Sequence, residues 1–230
     1  MVRVIAHRGA SAAAPENTVE AFELARELGA DWVELDVRRS ADTTLAIHHD
    51  PVLADGRAIV GMTGGELPES VPDLAAALDA CAGMKVNIEI KNWPEDPDFD
   101  PSLALALGVV EEIQRRGAQD DVLVSCFHLS TLDRVREADP TIATALLHGP
   151  RYGTWADLAS LVAERGHCAL HPWDHIVDRW YMRAARDAGL EVNVWTVDNE
   201  DRMRELVALG VDGICTNVPD VARSVLDGAA

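Results

Sequence analysis

Eight short apolar or β-branched runs punctuate the chain, at 2–6, 31–37, 84–91, 121–127, 141–147, 167–171, 190–197 and 211–216, and helix-like segments fall between most of them. Repetition of a strand–helix unit predicts a parallel sheet covered by helices, since each crossover returns the chain to the start of the next strand. Eight such strands are enough to close the sheet on itself. The sequence therefore predicts an α/β fold, a (β/α)8 TIM barrel, as one domain over residues 1–230. An open doubly wound sheet would ask for a G-x-G-x-x-G turn after the first strand, and none is present. Helix-end signals fit the barrel: Asn17 as a first N-cap with Glu20 three residues on and Gly29 past the end, and further helices over 102–117, 130–139, 154–166, 177–189 and 199–210.

One interval breaks the rhythm. Only seven residues, 38–44, separate "DWVELDV" from "TLAIHHDP". A parallel crossover needs about a dozen or more, so these two runs should form an antiparallel hairpin, an extra strand after strand 2. A turn centred near Ala41 sets Glu34 roughly opposite His49. The Gly/Pro-rich stretch that follows, 51–70, reads as a loop over the barrel mouth, and 94–101 as a second, acidic loop.

Alternation then sorts the chemistry. Trp32, Glu34, Asp36 and Arg38 share one face of strand 2, and Lys85, Asn87, Glu89 and Lys91 share one face of the "KVNIEIK" strand, opposite Val86, Ile88 and Ile90. In a barrel the apolar faces pack under the helices and the polar faces point into the lumen. Three carboxylates gathered at the strand C-termini repel unless a cation holds them. Their oxygens are hard ligands, which predicts one divalent cation at Glu34, Asp36 and Glu89: Mg²⁺ or Ca²⁺, with Mn²⁺ also suited, rather than zinc.

His7 ends the first strand, and "HHDP" offers His48 or His49 at the end of the hairpin. Alternation alone does not choose between the two. A pair of imidazoles beside a metal can move one proton off a nucleophile and another onto a leaving oxygen. Asp50 can orient whichever ring is active. Arg8 and Lys91 add fixed positive charge at the same rim, where a guanidinium forks onto phosphate oxygens. Gly9 permits a sharp turn immediately after them. The net charge of −19 makes this local cationic pocket necessary for an anionic substrate, and it argues against nucleic-acid partners and anionic membrane surfaces. No run is long enough for membrane insertion, and chemistry beginning at residue 7 leaves no room for a removable leader. Cys81, Cys126, Cys168 and Cys215 lie far apart in or beside apolar runs and read as buried reduced thiols, which suits a cytoplasmic protein.

With these residues placed, the sequence resembles the glycerophosphodiester phosphodiesterases. "HRG", "PENT", "ELD", "HHDP", "IEIK", "SCF", "VWTVD" and "DGICTNVP" occur in the family's order along essentially the whole chain. The resemblance implies a barrel of the phosphatidylinositol-phospholipase type and metal-dependent hydrolysis of a small-molecule glycerophosphodiester to glycerol 3-phosphate and an alcohol. It implies His7 and His49 as the acid–base pair and Glu34, Asp36 and Glu89 as metal ligands. Arg8 and Lys91 would hold phosphate and Trp195 would line the pocket, with Glu16 behind them. Asn217 of "TNVP" stands where a carboxylate is usual, which weakens any acid–base or ligand role there. Cys126 stands where Ser is frequent, and the loop after "HHDP" lacks the family's usual "RTT"-like piece. A lysophospholipase D-like enzyme acting on lipids would want an apolar or basic rim, which the acidic and small loops do not offer. A catalytically silent barrel would have lost a histidine or a ligand carboxylate, and all are present.

Overall fold

The computed structural model describes residues 2–150 and 153–228. Its strands are β1 (Arg3–His7), β2 (Trp32–Arg39), β3 (Leu45–Ile47), β4 (Lys85–Ile90), β5 (Val122–Cys126), β6 (Ala143–His148), β7 (Ala169–Pro172), β8 (Glu191–Val194) and β9 (Gly213–Thr216). The helices are α1 (Val19–Glu27), α2 (Leu74–Ala80), α3 (Ala104–Arg116), α4 (Leu129–Ala138), α5 (Trp155–Glu164), α6 (Arg179–Asp187), α7 (Glu200–Leu209) and α8 (Pro219–Gly228). Eight parallel strands close in the order β1-β2-β4-β5-β6-β7-β8-β9, with β1 bonded to both β2 and β9, and β3 is bonded antiparallel to β2 outside the ring. The fold is the expected TIM barrel with one added hairpin strand.

The apolar sides of the strands lie under the helices. Val33, Leu35 and Val37 of β2 and Val86, Ile88 and Ile90 of β4 are buried with Phe22, Leu74 and Ile113 from the helical layer. Each such side chain fully removed from water contributes about 1.5–3 kcal/mol. Inside the ring, Leu123, Ala145 and Ala169 pack with Trp32 and Ala143 as a separate apolar plug.

Helix ends follow their sequence signals with one correction. Thr18, not Asn17, caps α1: its hydroxyl accepts from the Ala21 amide. Asn17 instead sits buried at φ +58°, turned toward β2. The expected helices over 102–117, 130–139, 154–166, 177–189 and 199–210 appear as α3 to α7 within a residue or two at their ends, with Asp178 capping α6.

The hairpin register also differs from expectation. Val37 pairs with Ile47 and Arg39 with Leu45, and the His48 amide donates to the Asp36 carbonyl at 3.0 Å, so the turn centres on Asp42. Asp36, not Glu34, therefore stands level with the two histidines. Residues 51–70 do not roof the mouth. They form a small core of their own with the hairpin, Ala46, Leu53, Ile59 and Met62 packing with Leu67 and Val71. Only Pro51 of that stretch lines a cavity at the barrel mouth. All four cysteines are free, but Cys168 is exposed because β7 begins one residue after it; Cys81, Cys126 and Cys215 are buried as expected.

Candidate active site

Two adjoining cavities open at the C-terminal ends of the strands. The inner one, about 200 Å³, is lined by His7, Arg8, Glu34, His49, Glu89, Lys91 and Trp195 among others. The outer one, about 700 Å³, shares His49, Glu89, Lys91, Phe127 and Trp195 with it. Each residue reaches the mouth by strand register: His7 ends β1 and is paired with Glu34, while Asp36 is paired with Glu89 across β2 and β4.

Glu34, Asp36 and Glu89 each turn a carboxylate oxygen into one cluster whose members lie within 4.8 Å of one another. All three are buried, at 3%, 1% and 9% exposure. Asp36 is the most heavily held: one oxygen accepts from Asn17 Nδ2 at 2.7 Å and lies 3.2 Å from Arg8 Nε, and the other lies 3.3 Å from Lys91 Nζ. Burial would raise its carboxyl, but the Lys91 and Arg8 charges outweigh burial and hold it at about 2. Glu34 is the opposite case. One of its oxygens accepts from the Arg8 amide at 2.9 Å, and the other is buried with no hydrogen-bond partner. Burial first, then the Asp36 and Glu89 charges, push Glu34 well above the usual carboxylate range. Burial also raises Glu89, against the pull of Lys91 at 2.7 Å. A buried carboxylate oxygen without a donor, beside two further carboxylates, suits a hard divalent cation, so these residues fit that group.

The loop after β1 is strained in order to serve this cluster. Arg8 and Asn17 both adopt positive φ, +56° and +58°, at about 1–3 kcal/mol each for non-glycine residues. Two bonds hold them there, Arg8 N to Glu34 and Asn17 N to the Arg8 carbonyl at 3.0 Å. Gly9 follows at φ +81°, and a Cβ there would stand 2.6–2.7 Å from Ala21. The glycine of "HRG" is required by the approach of α1 as well as by the turn.

The two histidines are held in different ways. His7 Nδ1 lies 2.7 Å from Asn217 Oδ1. The Asn217 amide is itself oriented, because its Nδ2 donates to Asp198 Oδ2 at 2.7 Å and its backbone N–H to Asp198 Oδ1 at 2.8 Å. With NH₂ turned to a carboxylate, the amide oxygen must face His7, which puts the His7 proton on Nδ1 and leaves Nε2 as the basic nitrogen. His49 Nδ1 lies 2.7 Å from the Asp50 carboxylate, with the same consequence for its tautomer. Burial first, then Arg8, lowers His7; burial first, then Lys91, lowers His49. His48 bonds the Asp50 carbonyl and lines neither cavity, so the structure brings His49 to the cluster and leaves its neighbour outside.

The other expected residues fall as follows. Glu16 is half exposed and grips Arg8 Nη1 with both oxygens at 3.0 Å. Trp195 lines both cavities, its indole N–H donating to the His171 carbonyl at 2.8 Å. Sequence reasoning missed Asn17, Asp198 and the aromatic residues Trp93, Phe127 and Trp173 around the outer cavity, and it assigned no role to Asn217. Asn17 and Asn217 lay inside quoted motifs, whereas Trp93 and Trp173 carried no signal.

Comparison with known proteins agrees with this geometry. The family model for the glycerophosphoryl diester phosphodiesterase family matches residues 7–221. A glycerophosphodiester phosphodiesterase of Caldanaerobacter subterraneus subsp. tengcongensis is 28% identical, over 94% of each chain. An Oleispira antarctica phosphodiesterase, solved in complex with the product sn-glycerol-3-phosphate, superposes with a TM-score of 0.88 at 26% identity, over 98% of this chain and 96% of that one. The glycerophosphodiester phosphodiesterase of Thermotoga maritima superposes at 0.84 with 27% identity over 98% of both chains. The chain is a phosphodiester hydrolase and belongs to the glycerophosphoryl diester phosphodiesterase family.

Proposed function

We propose that this enzyme hydrolyses glycerophosphodiesters to glycerol 3-phosphate and an alcohol, with a divalent cation (Mg²⁺, Ca²⁺ or Mn²⁺) held by Glu34, Asp36 and Glu89, and with His7 and His49 as base and acid. The observation that carries the reading is the charge inside the inner cavity. With all three ionised, as a bound cation requires of its ligands, the carboxylates against the two fixed cations Arg8 and Lys91 leave one negative charge, and both cations are already paired with those carboxylates. A phosphodiester anion would be repelled from such a site. Adding a divalent cation reverses the sign, and the anion then brings the total to neutral.

When bound, the cation polarises a non-bridging phosphoryl oxygen and offsets charge that grows in the transition state. Arg8 and Lys91 orient the phosphate from the cavity wall. His7, whose Nδ1 faces an amide oxygen, takes the proton of the attacking hydroxyl on Nε2, whether that hydroxyl is the glycerol 2-OH or water. His49 bonds a carboxylate, which stabilises an imidazolium better than an amide does, and it borders the outer cavity as well. It therefore gives its Nε2 proton to the departing alkoxide on that side. Asn17, which donates to Asp36 and accepts from the Asp36 amide at 3.2 Å, fixes the central ligand. The free cysteines support a cytoplasmic setting.

The test is enzymatic release of glycerol 3-phosphate from several headgroup diesters, with chelator and with Mg²⁺, Ca²⁺ or Mn²⁺ added back. Turnover should vanish with chelator and return with metal. Metal at about 100 times its Kd should also stabilise the fold by about 2.7 kcal/mol, a rise of roughly 5–11 °C in Tm for a chain of this size. Chelator-insensitive turnover with no thermal shift would remove the cation. Failure to release glycerol 3-phosphate from any diester would remove the reaction.

A further inference from the structure

The inner cavity has a floor for which the acid–base and metal-binding roles have no use. Asn87 stands two residues before Glu89 on β4, and Asn193 of β8 stands two before Trp195; both line the cavity and both are buried. At about 3.3 Å per residue they lie about 6–7 Å further down their strands than Glu89 and Trp195. Ile5, Leu147, His171 and Cys215 line the cavity beside them. Asn87 Oδ1 and Asn193 Oδ1 are buried without a hydrogen-bond partner among the described residues. Most buried side-chain polar atoms are paired, so two such oxygens in one cavity mark a place where a ligand can bond. Asn193 is held by its other end, with Nδ2 2.9 Å from His171 Nε2. Gly213 of β9 gives it room, since a Cβ there would collide with Asn193 Oδ1 and stand 3.0 Å from Ile5 Cδ1.

The chemistry of this floor is neutral and polar. Two of its side chains are amides, and burial holds the His171 ring uncharged, with its pKa lowered to about 3. The fixed cations of the cavity, Arg8 and Lys91, are drawn to the carboxylates instead. A charged end group set against these amides would lose its water and find no counter-charge. A methyl group would leave both amide oxygens unpaired. A hydroxyl suits the place, because it donates one hydrogen bond and accepts others, and so serves an amide in either of its two settings.

Resting on the hydrolytic reading above, we propose that Asn87 and Asn193, the latter set by His171, bind the terminal hydroxyl of the glycerol unit and make it a requirement for efficient turnover. With the phosphorus beside His7 and His49, the three-carbon chain reaches from the carboxylates down to the floor, while the 2-hydroxyl stays among the reacting groups. The floor thus selects diesters whose glycerol end is free. A missing hydroxyl forfeits the bond, and a long acyl ester on it exceeds a cavity of about 200 Å³ that also takes the phosphate. Sites built to hydrogen-bond a substrate hydroxyl reject the analogue without it more strongly than apolar pockets reject a methylene.

The experiment compares kcat/KM for glycerophosphocholine with that for 2-hydroxypropyl phosphocholine, which keeps the 2-hydroxyl and lacks the terminal one, at saturating divalent cation. The glycerol ester should lead by about tenfold or more, which is about 1.4 kcal/mol. In Asn87→Leu, in Asn193→Leu or in both, the lead should shrink to about threefold or less. A merely structural defect would slow both substrates alike, and the ratio does not depend on the fraction of enzyme that folds. A deoxy analogue as good as the glycerol ester in the parent enzyme overturns the proposal without any variant. So does a lead that both variants keep, and so does 1-acyl-glycerophosphocholine cleaved as fast as its deacylated form. If no diester were cleaved, the hydrolytic reading would fail instead, and thermal shifts would then decide the floor. Glycerol 3-phosphate stabilising the fold more than 2-hydroxypropyl phosphate, with the difference lost in either variant, upholds it; equal or absent shifts, or a difference both variants keep, overturn it.

Discussion

Removing the Asn217 side chain tests whether the Asp198–Asn217–His7 chain positions His7 as the proposed base. In Asn217→Ala the 2.7 Å contact to His7 Nδ1 disappears. A neutral hydrogen bond contributes about 1 kcal/mol, about fivefold in a rate that depends on it. The ring also loses its enforced tautomer, and the whole of general acid–base catalysis, about 10²–10⁴-fold, sets the ceiling. The expected loss in kcat is therefore about 10–100-fold. KM should change little, because Asn217 lines neither cavity. The pH profile gives a second readout. Burial and Arg8 lower His7 while the Asn217 bond raises it, so deleting the bond lowers it further and moves the acidic limb of kcat/KM to lower pH. Asn217→Asp should move that limb the other way, since a carboxylate favours the imidazolium. Steady-state kinetics from pH 5 to 9 on both variants would measure this. A kcat within twofold of the parent, with the acidic limb unmoved in both, would show that the chain does not position His7.

Two further perturbations test the scaffold. Gly9→Ala adds a Cβ within 2.7 Å of Ala21 at a φ of +81°, whereas Gly83→Ala at φ +90° meets nothing within 4 Å. The left-handed backbone costs about 1–2 kcal/mol at either site and overpacking adds about 1–3 at Gly9 alone, so Tm should fall by about 4–20 °C for Gly9→Ala. Equal thermal shifts for the two variants would dismiss the close approach of α1. Buried His171 is held neutral, its pKa lowered to about 3 by burial first, and its Nε2 lies 2.9 Å from Asn193 Nδ2. The unfolded chain takes up that proton first as pH falls below about 6.5, so the stability present above that pH is lost progressively toward 3, by about 2 kcal/mol at pH 5. Raised Glu34 and Glu89 act in the opposite direction. The fall from pH 7 to pH 5 in urea titrations should then be shallower by that amount in His171→Asn than in the parent, and parallel falls would contradict the assignment.

The barrel was legible because its signal is periodic and repeated. Eight buried runs and a seven-residue gap too short for a crossover leave little choice of topology, and the alternation in β2 and β4 put Glu34, Asp36 and Glu89 on lumen faces that the structure brings together. What was not legible depended on competition between neighbours or on loops. In "NT" either residue can cap a helix; Thr18 takes that place and frees Asn17 for Asp36, a tertiary preference with no local trace. The 51–70 stretch looked like a roof because glycine and proline dominate it, yet its scattered Leu53, Ile59, Met62 and Leu67 were enough for a small core beside the hairpin. Asn217 was discounted by comparison with a carboxylate, although an amide backed by Asp198 performs the same holding of His7 without adding charge. Trp93 and Trp173 sit in segments between regular elements, where periodicity carries no information.

The added strand explains how a histidine that does not end a barrel strand comes to the barrel mouth. Active residues of such folds stand at the C-terminal ends of the ring strands, as His7, Glu34, Asp36 and Glu89 do. His49 arrives from above. The chain rises along β2 to Arg39, turns at Asp42 and descends along β3, so that His48 and His49 come down level with the carboxylate cluster. A descending end needs an anchor, and Arg38 is that anchor. Its Nε bonds the His49 carbonyl while its two Nη groups hold Asp96 and Asp98, and the side chain is 3% exposed. One guanidinium thus fixes His49 and the acidic loop of the outer cavity to the same strand. Breaking a buried pair of this kind costs about 3–5 kcal/mol, far more than a surface pair. The carboxylate cluster and the outer cavity are thereby tied to the same strand, and His49 lines both cavities.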